Sequence, residues 1–229
     1  MEWDKAFMLV SGTESASTPG PAARVLRTGM LAAIALYVML AAWKALLTPL
    51  ALDDFPEELA IKVELLPLLF PLHMVSGGLA LLLVPLTFVL RRKPRWHRLV
   101  GRITAIDVVI AGTTAFPVAL VAPVTRVSAL GFSTQAAVWL TLLALGIRNI
   151  RRGQVAKHRA CMLLMAATTS GALVFRIALA SWAIMASALG SARHYEAFYA
   201  ADAWLAWSLP LGLTAFLLHR TGGLRFDPR

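Results

Sequence analysis

Few residues of this chain have the type and setting to do chemistry, and most of those are basic. Arg176 stands inside an apolar run, flanked by Val174, Phe175, Ile177 and Ala178. A guanidinium within a bilayer costs at least about 2.5 kcal/mol unless it is paired or hydrated. It is therefore expected to hold an acid, the carbonyls near Pro117 or Pro123, His73 at similar depth, or an anion such as a lipid headgroup or a haem propionate. Asp107 lies inside another run, and interhelical pairing with Arg159, Thr168 or Thr169 is expected for it. One carboxylate does not make a proton relay.

The five histidines are His73, His97, His158, His194 and His219. A bis-histidine haem b needs two imidazoles at equal depth on facing helices. His97 and His158 share a depth, but each sits in a basic cluster at the edge of a run, and His73 has no histidine partner inside one. Helix capping, or a grip on phosphate groups together with Arg98, Arg102 and Arg159, suits these rings better, with haem b as the alternative. No Walker loop, dinucleotide fingerprint, nucleophile elbow or metalloprotease motif is present. Cys161 is the only cysteine, so there is neither an intrachain disulfide nor a Cys/His cluster with zinc spacing. No catalytic residue and no metal ligand is assigned.

The elements that must carry these residues are apolar. Hydrophobic residues make up 59% of the 229 and charged ones 15%, against about 25% charged in an ordinary soluble domain. Six runs stand out, Thr28–Thr48, Leu66–Leu90, Leu99–Ala122, Thr134–Ile147, Ala160–Leu189 and Ala203–Leu218. All but the fourth are about as long as a hydrocarbon core of roughly 30 Å demands. Backbone groups must pair internally there, and continuous rather than alternating apolar runs favour helices over a barrel. The expected fold is all-α, a polytopic bundle of six transmembrane helices.

The net charge of +10 is unevenly spread. Arg91, Arg92, Lys93, Arg95, Arg98 and Arg102 follow the second run, and Arg148, Arg151, Arg152, Lys157 and Arg159 follow the fourth. The alternate loops carry Asp53, Asp54, Glu57, Glu58, Glu64, Glu196 and Asp202. By the positive-inside rule both termini and the basic loops face the cytoplasm, across a bacterial inner membrane. The basic excess then serves topology and anionic headgroups; the expected partners are membrane lipids and other membrane proteins, and not nucleic acid.

Residues 1–23 are polar and read as a flexible cytoplasmic arm without a signal-peptide pattern. Residues 24–229 read as a single domain. Asp53 or Asp54 is expected to cap a short helix with Pro56 in its first turn, on the outer surface. A weak repeat joins Arg91-Arg92 with His97-Arg98 and Arg151-Arg152 with His158-Arg159. It reflects either two loops facing the same compartment or a duplicated helix pair. Ser76-Gly77-Gly78, Gly112 and Ser170-Gly171 suit close helix contact. Pro85, Pro117 and Pro210 lie within runs, and Trp139, Trp182, Trp204 and Trp207 suit interfacial anchoring or subunit contacts.

Three segments in order, His73-Met74-Val75-Ser76-Gly77-Gly78-Leu79-Ala80-Leu81, His97-Arg98-Leu99-Val100-Gly101-Arg102, and His158-Arg159-Ala160-Cys161-Met162 with Arg176 beyond it, resemble a bacterial family of predicted membrane proteins, the domain of unknown function numbered 2306. The resemblance covers roughly residues 65–180. It implies a helical membrane protein and brings no activity with it. In the third segment Cys161 and Leu164 stand near positions where the family usually has tryptophan and arginine.

The leading functional expectation is an accessory or scaffolding subunit of a larger inner-membrane complex, without catalytic machinery. The alternatives are a b-type-cytochrome-like redox protein and a transporter of a small amphiphile, with Arg176 and Asp107 lining its path.

Overall fold

The computed structural model describes residues 29–30, 33–43, 57–190 and 193–221. The expected N-terminal arm, Asp53, Asp54 and Pro56 lie outside the described residues. Every element that the structure assigns is helical. In chain order they are α1 (Ala33–Trp43), α2 (Glu57–Leu65), α3 (Leu69–Val89), α4 (Pro94–Leu120), α5 (Arg126–Arg151), α6 (Val155–Leu189) and α7 (Tyr195–Arg220).

Five of them, α3 to α7, are long and apolar enough to cross a membrane. The first expected span lies only partly among the described residues, where α1 is apolar but shorter than a span. The other runs correspond one to one with α3–α7; α3 lies within its run, whereas α4 to α7 begin before theirs. Hydropathy marks only the part of a helix that must match hydrocarbon, and polar ends continue the same backbone ladder. The largest difference is α5, expected from Thr134 and found from Arg126. Its first two turns contain hydroxyls, which lower the hydropathy without breaking the helix. Thr125 and Ser128 form a reciprocal capping box, and Thr134 Oγ1 donates to Leu130 O at 2.7 Å.

Successive helices from α3 to α7 pack side by side, and α5 also touches α7 while α3 touches α6. The apolar core at the α3–α6 contact holds Val84, Val108, Leu143 and Met165. Small residues set the spacing of the second half. A methyl group on Gly131 would lie 2.8 Å from Ala203 O, and one on Gly171 would lie 2.6 Å from Trp207 Cβ. These two glycines therefore seat α7 against α5 and α6. Gly112 does the same for α4 under the Leu140 side chain of α5. Gly77 differs from its expected role, because nothing lies within 4 Å of a Cβ built there. Pro85, Pro117 and Pro210 are carried inside continuous helices. The outward surfaces are apolar, with Ile106 64% and Ile184 72% exposed, as a lipid-facing belt requires.

A cavity between the helices, with three basic side chains at its walls

The basic end is built from three helices. Lys62 reaches from α2 and donates to Val118 O at 2.8 Å and to Val121 O at 2.7 Å. These carbonyls are at the C-terminal end of α4, where the helix dipole favours a cation. Partial burial pushes the Lys62 ammonium below its ordinary value of 10.5. The carbonyls near Pro117 and Pro123 were one of several partners expected for Arg176; two carbonyls of that region, those of Val118 and Val121, accept from Lys62, which the helix before α3 carries onto the end of α4.

Arg176, on α6, donates from Nη1 to Ala172 O of its own helix at 2.8 Å. Its neighbours Val174 and Ile177 face outward, at 38% and 50% exposure, while Ala172, Phe175 and Arg176 itself border the interior cavity. His73, one turn into α3, places Nδ1 3.1 Å from Ala111 O and 3.3 Å from Thr114 Oγ1. The charges of Lys62 and Arg176 both reach the His73 ring.

All three border one half-enclosed cavity of about 290 Å³ between α2–α7. The described ends of its lining elements place it in the half of the bundle opposite the two basic turns, Leu90–Lys93 and Arg152–Gln154. Its aromatic wall is Phe132, Phe175 and Tyr199, one from each of α5, α6 and α7, with ring centroids 5.2–6.0 Å apart and near-perpendicular planes. Deeper in, Gln135 Nε2 donates to Thr168 O at 3.1 Å and Trp139 Nε1 donates to Thr169 Oγ1 at 2.9 Å. Trp139 is thus an interior residue and not an interfacial anchor. So is Trp207, 6% exposed, whose indole donates to Ala203 O. Trp204 bonds Val127 O and Trp182 stacks on Phe198 at 4.5 Å, so each joins α7 to a neighbouring helix. Gly77 opens onto the same space.

His97 and His158 do not converge. His97 Nδ1 bonds Thr87 O at 3.0 Å, and His158 Nδ1 bonds Gly146 O at 2.9 Å. Each ring sits near the start of one helix and bonds a carbonyl near the end of the helix before it. The two arrangements match, which gives the sequence repeat a structural counterpart at the basic turns of both α3–α4 and α5–α6. The helices that carry the two rings are not a packed pair, since α5 packs against both. Arg98, Arg102 and Arg159 are exposed around these turns, and Arg98 Nε bonds Pro94 O of its own helix.

Asp107 is placed otherwise than expected. It is 7% exposed, its Oδ2 has no hydrogen-bond partner among the described residues, and it does not border the cavity. The two threonines expected as partners are committed elsewhere. Thr168 Oγ1 donates to Leu164 O and Thr169 Oγ1 to Met165 O, each one turn back on α6. Asp202, also 7% exposed, has an unpartnered Oδ2 as well. No three His, Cys, Asp or Glu side chains cluster as metal ligands among the described residues.

Lys62, Gln135 and Tyr199 are the cavity residues that sequence reasoning missed. Lys62 had a signal, as a cation between Glu57, Glu58 and Glu64 in a segment otherwise acidic. Gln135 had one too, as an amide within an apolar helix. Tyr199 had none, because an aromatic near a helix end reads equally well as an interfacial anchor.

No curated protein and no solved structure matches the chain. A family described as "Predicted membrane protein (DUF2306)" matches residues 70–218, which include α4 to α6 whole and nearly all of α3 and α7. That match covers most of the sequence and all but Lys62 of the basic wall, and the chain belongs to this family of predicted membrane proteins.

Proposed function

We propose that this protein holds a small amphiphile inside its helical bundle, as a membrane-embedded binding or carrier protein rather than a catalyst. The observation that carries this is the cavity itself, a space of about 290 Å³ with basic and hydrogen-bonding groups at some walls and apolar or aromatic groups at the rest. That size lies near the lower end of small-molecule sites, roughly 300–1,000 Å³. It suits one acyl chain or a small ring system, not a two-chain phospholipid. Of the two residues first expected along such a path, Arg176 borders the cavity and Asp107 does not.

In the proposed orientation both termini and the two basic turns face the cytoplasm of a bacterial cell, and the cavity lies in the outer half of the inner membrane. The charge asymmetry of the turns supports it. The exposed arginines at those turns would meet anionic lipid headgroups.

The test is chemical extraction. Protein purified in mild detergent from its own membranes is extracted with organic solvent, and the extract is examined by mass spectrometry. A stoichiometric amphiphile present in the wild type and depleted in Gly77→Leu, where the new side chain occupies the cavity, supports the proposal. Equal amounts in both proteins would refute it.

A further inference from the structure

We propose that His73 selects the head of the bound amphiphile, its Nε2 accepting a hydrogen bond from a hydroxyl group, that of an alcohol or a phenol; this rests on the cavity being a binding site. Phe70, His73, Gly77 and Leu81 recur every three or four residues, so one face of α3 borders the cavity. The His73 ring gives its Nδ1 edge to α4. Ala111 O, 3.1 Å away, can only accept. Thr114 Oγ1, 3.3 Å away, directs its own proton at the carbonyls of Ile110 and Ala111, 2.7 and 3.1 Å from it, and so accepts too. Both partners therefore require the ring proton on Nδ1. A neutral imidazole, the form that an apolar interior favours, then carries a lone pair on Nε2.

That lone pair has no partner among the described residues, and it is not sealed in. The unpartnered side-chain atoms shut off from open space among the described residues are Asp107 Oδ2, Ser133 Oγ and Asp202 Oδ2, and His73 Nε2 is not one of them. Room lies beside the ring. Gly77 follows one turn along the same face, and nothing stands within 4 Å of a Cβ built there. The chemistry of Nε2 then selects its partner. A hydroxyl satisfies the lone pair with its proton and keeps its own lone pairs for donors at the walls. An ether, ester or ketone head has no proton to give and would leave Nε2 unsatisfied. A metal ion suits the place less well, because metal sites take several protein ligands and His73 is the one His, Cys, Asp or Glu among the described residues that border the cavity. Beyond this end Ala80, Ala115 and the Phe132–Phe175–Tyr199 trio suit the apolar remainder, chain or ring.

The test uses the full chain in detergent and two matched pairs of radiolabelled probes, hexadecanol with fluorohexadecane and para-dodecylphenol with para-dodecylfluorobenzene. Fluorine keeps nearly the size of the hydroxyl and removes its proton. In the wild type at least one hydroxyl probe is expected to bind at least about tenfold more tightly than its fluorinated counterpart. The pair with the larger preference names the alcohol or the phenol. His73→Asn keeps a donor near the place of Nδ1 and has nothing at the place of Nε2, so the preference should vanish there. His73→Gln, whose amide oxygen reaches the place of Nε2, should recover part of it. Comparing each pair between proteins cancels partition into the micelles. Should both variants fail to fold, nitrogen NMR of wild type labelled in its histidines carries the test. One neutral ring should show a protonated Nδ1 and a bare Nε2, with an Nε2 signal that moves with a hydroxyl probe and not with its fluorinated counterpart. Equal binding within both pairs, a preference that persists in His73→Asn, or histidine signals indifferent to the hydroxyl probes would overturn the assignment. If Gly77→Leu still abolished binding of hydroxyl and fluorinated probes in that case, the cavity would stand as a site blind to the hydroxyl. If Gly77→Leu changed nothing, the binding proposal itself would fall.

Discussion

Alanine placed at Gly77 and at Gly171 is expected to change stability in opposite directions. Glycine in a helix interior is about 0.5–1 kcal/mol less favourable than alanine. At Gly77 nothing lies within 4 Å of the new methyl group, so that gain is realised in full. At Gly171 the methyl would stand 2.6 Å from Trp207 Cβ, 2.9 Å from Trp207 Cα and 3.1 Å from Gln135 Nε2. Two of those atoms belong to the backbone, or to the first side-chain carbon, of α7, so the helices themselves must separate. Overpacking of that kind costs about 1–3 kcal/mol. After the helical gain of about 0.5–1 kcal/mol is subtracted, Gly171→Ala is left with a net loss of up to about 2.5 kcal/mol. Reversible unfolding in mixed micelles, followed by far-ultraviolet circular dichroism on delipidated protein, reads both values. Stabilisation by Gly171→Ala would show that α7 is not seated on that glycine. A loss above about 1 kcal/mol for Gly77→Ala would show that the space beside it is not open.

His97→Ala and His158→Ala each remove a bond to a carbonyl of the preceding helix, Thr87 O and Gly146 O, and each is expected to cost about 1 kcal/mol in the same assay, the double variant showing the sum. Arg176→Leu removes the bond to Ala172 O and a polar wall of the cavity, with an expected loss of about 1–3 kcal/mol; an unchanged or higher thermal midpoint would place the guanidinium in lipid. Burial holds Lys62 below its ordinary value of 10.5, so the folded state releases that proton before the unfolded chain does. The Lys62 contribution to stability therefore rises with pH between the lowered value and 10.5. Unfolding followed at neutral and alkaline pH should show that rise in the wild type and lack it in Lys62→Gln.

The helices were legible because bilayer-crossing segments carry their own signature, a run of apolar residues as long as the hydrocarbon is thick. Their true ends were not, because hydroxyls such as those of Thr125 and Ser128 lower hydropathy while capping or continuing a helix. Arg176 was legible as a costly residue that needed an interior setting, and it has one. Its surroundings were not, since Lys62 takes the carbonyls of Val118 and Val121 through a contact more than 50 residues long in sequence. Gly77 and Gly171 look alike in sequence, and only the placement of α7 makes one a contact and the other a cavity wall. Asp107 was expected to pair because a lone intramembrane acid is costly, but the candidate threonines satisfy themselves on their own helix.

Trp139 borders the cavity and is held there by Thr169, which makes it a probe of occupancy. The most direct measurement is quenching of tryptophan fluorescence by a fatty acid brominated midway along its chain, in wild type, Trp139→Phe and Gly77→Leu. Saturable quenching is expected in the wild type, with most of its amplitude lost in Trp139→Phe and all of its saturable part lost in Gly77→Leu. Saturable quenching of equal amplitude in all three proteins would place the acyl chain on the outer surface and contradict an amphiphile held inside the bundle.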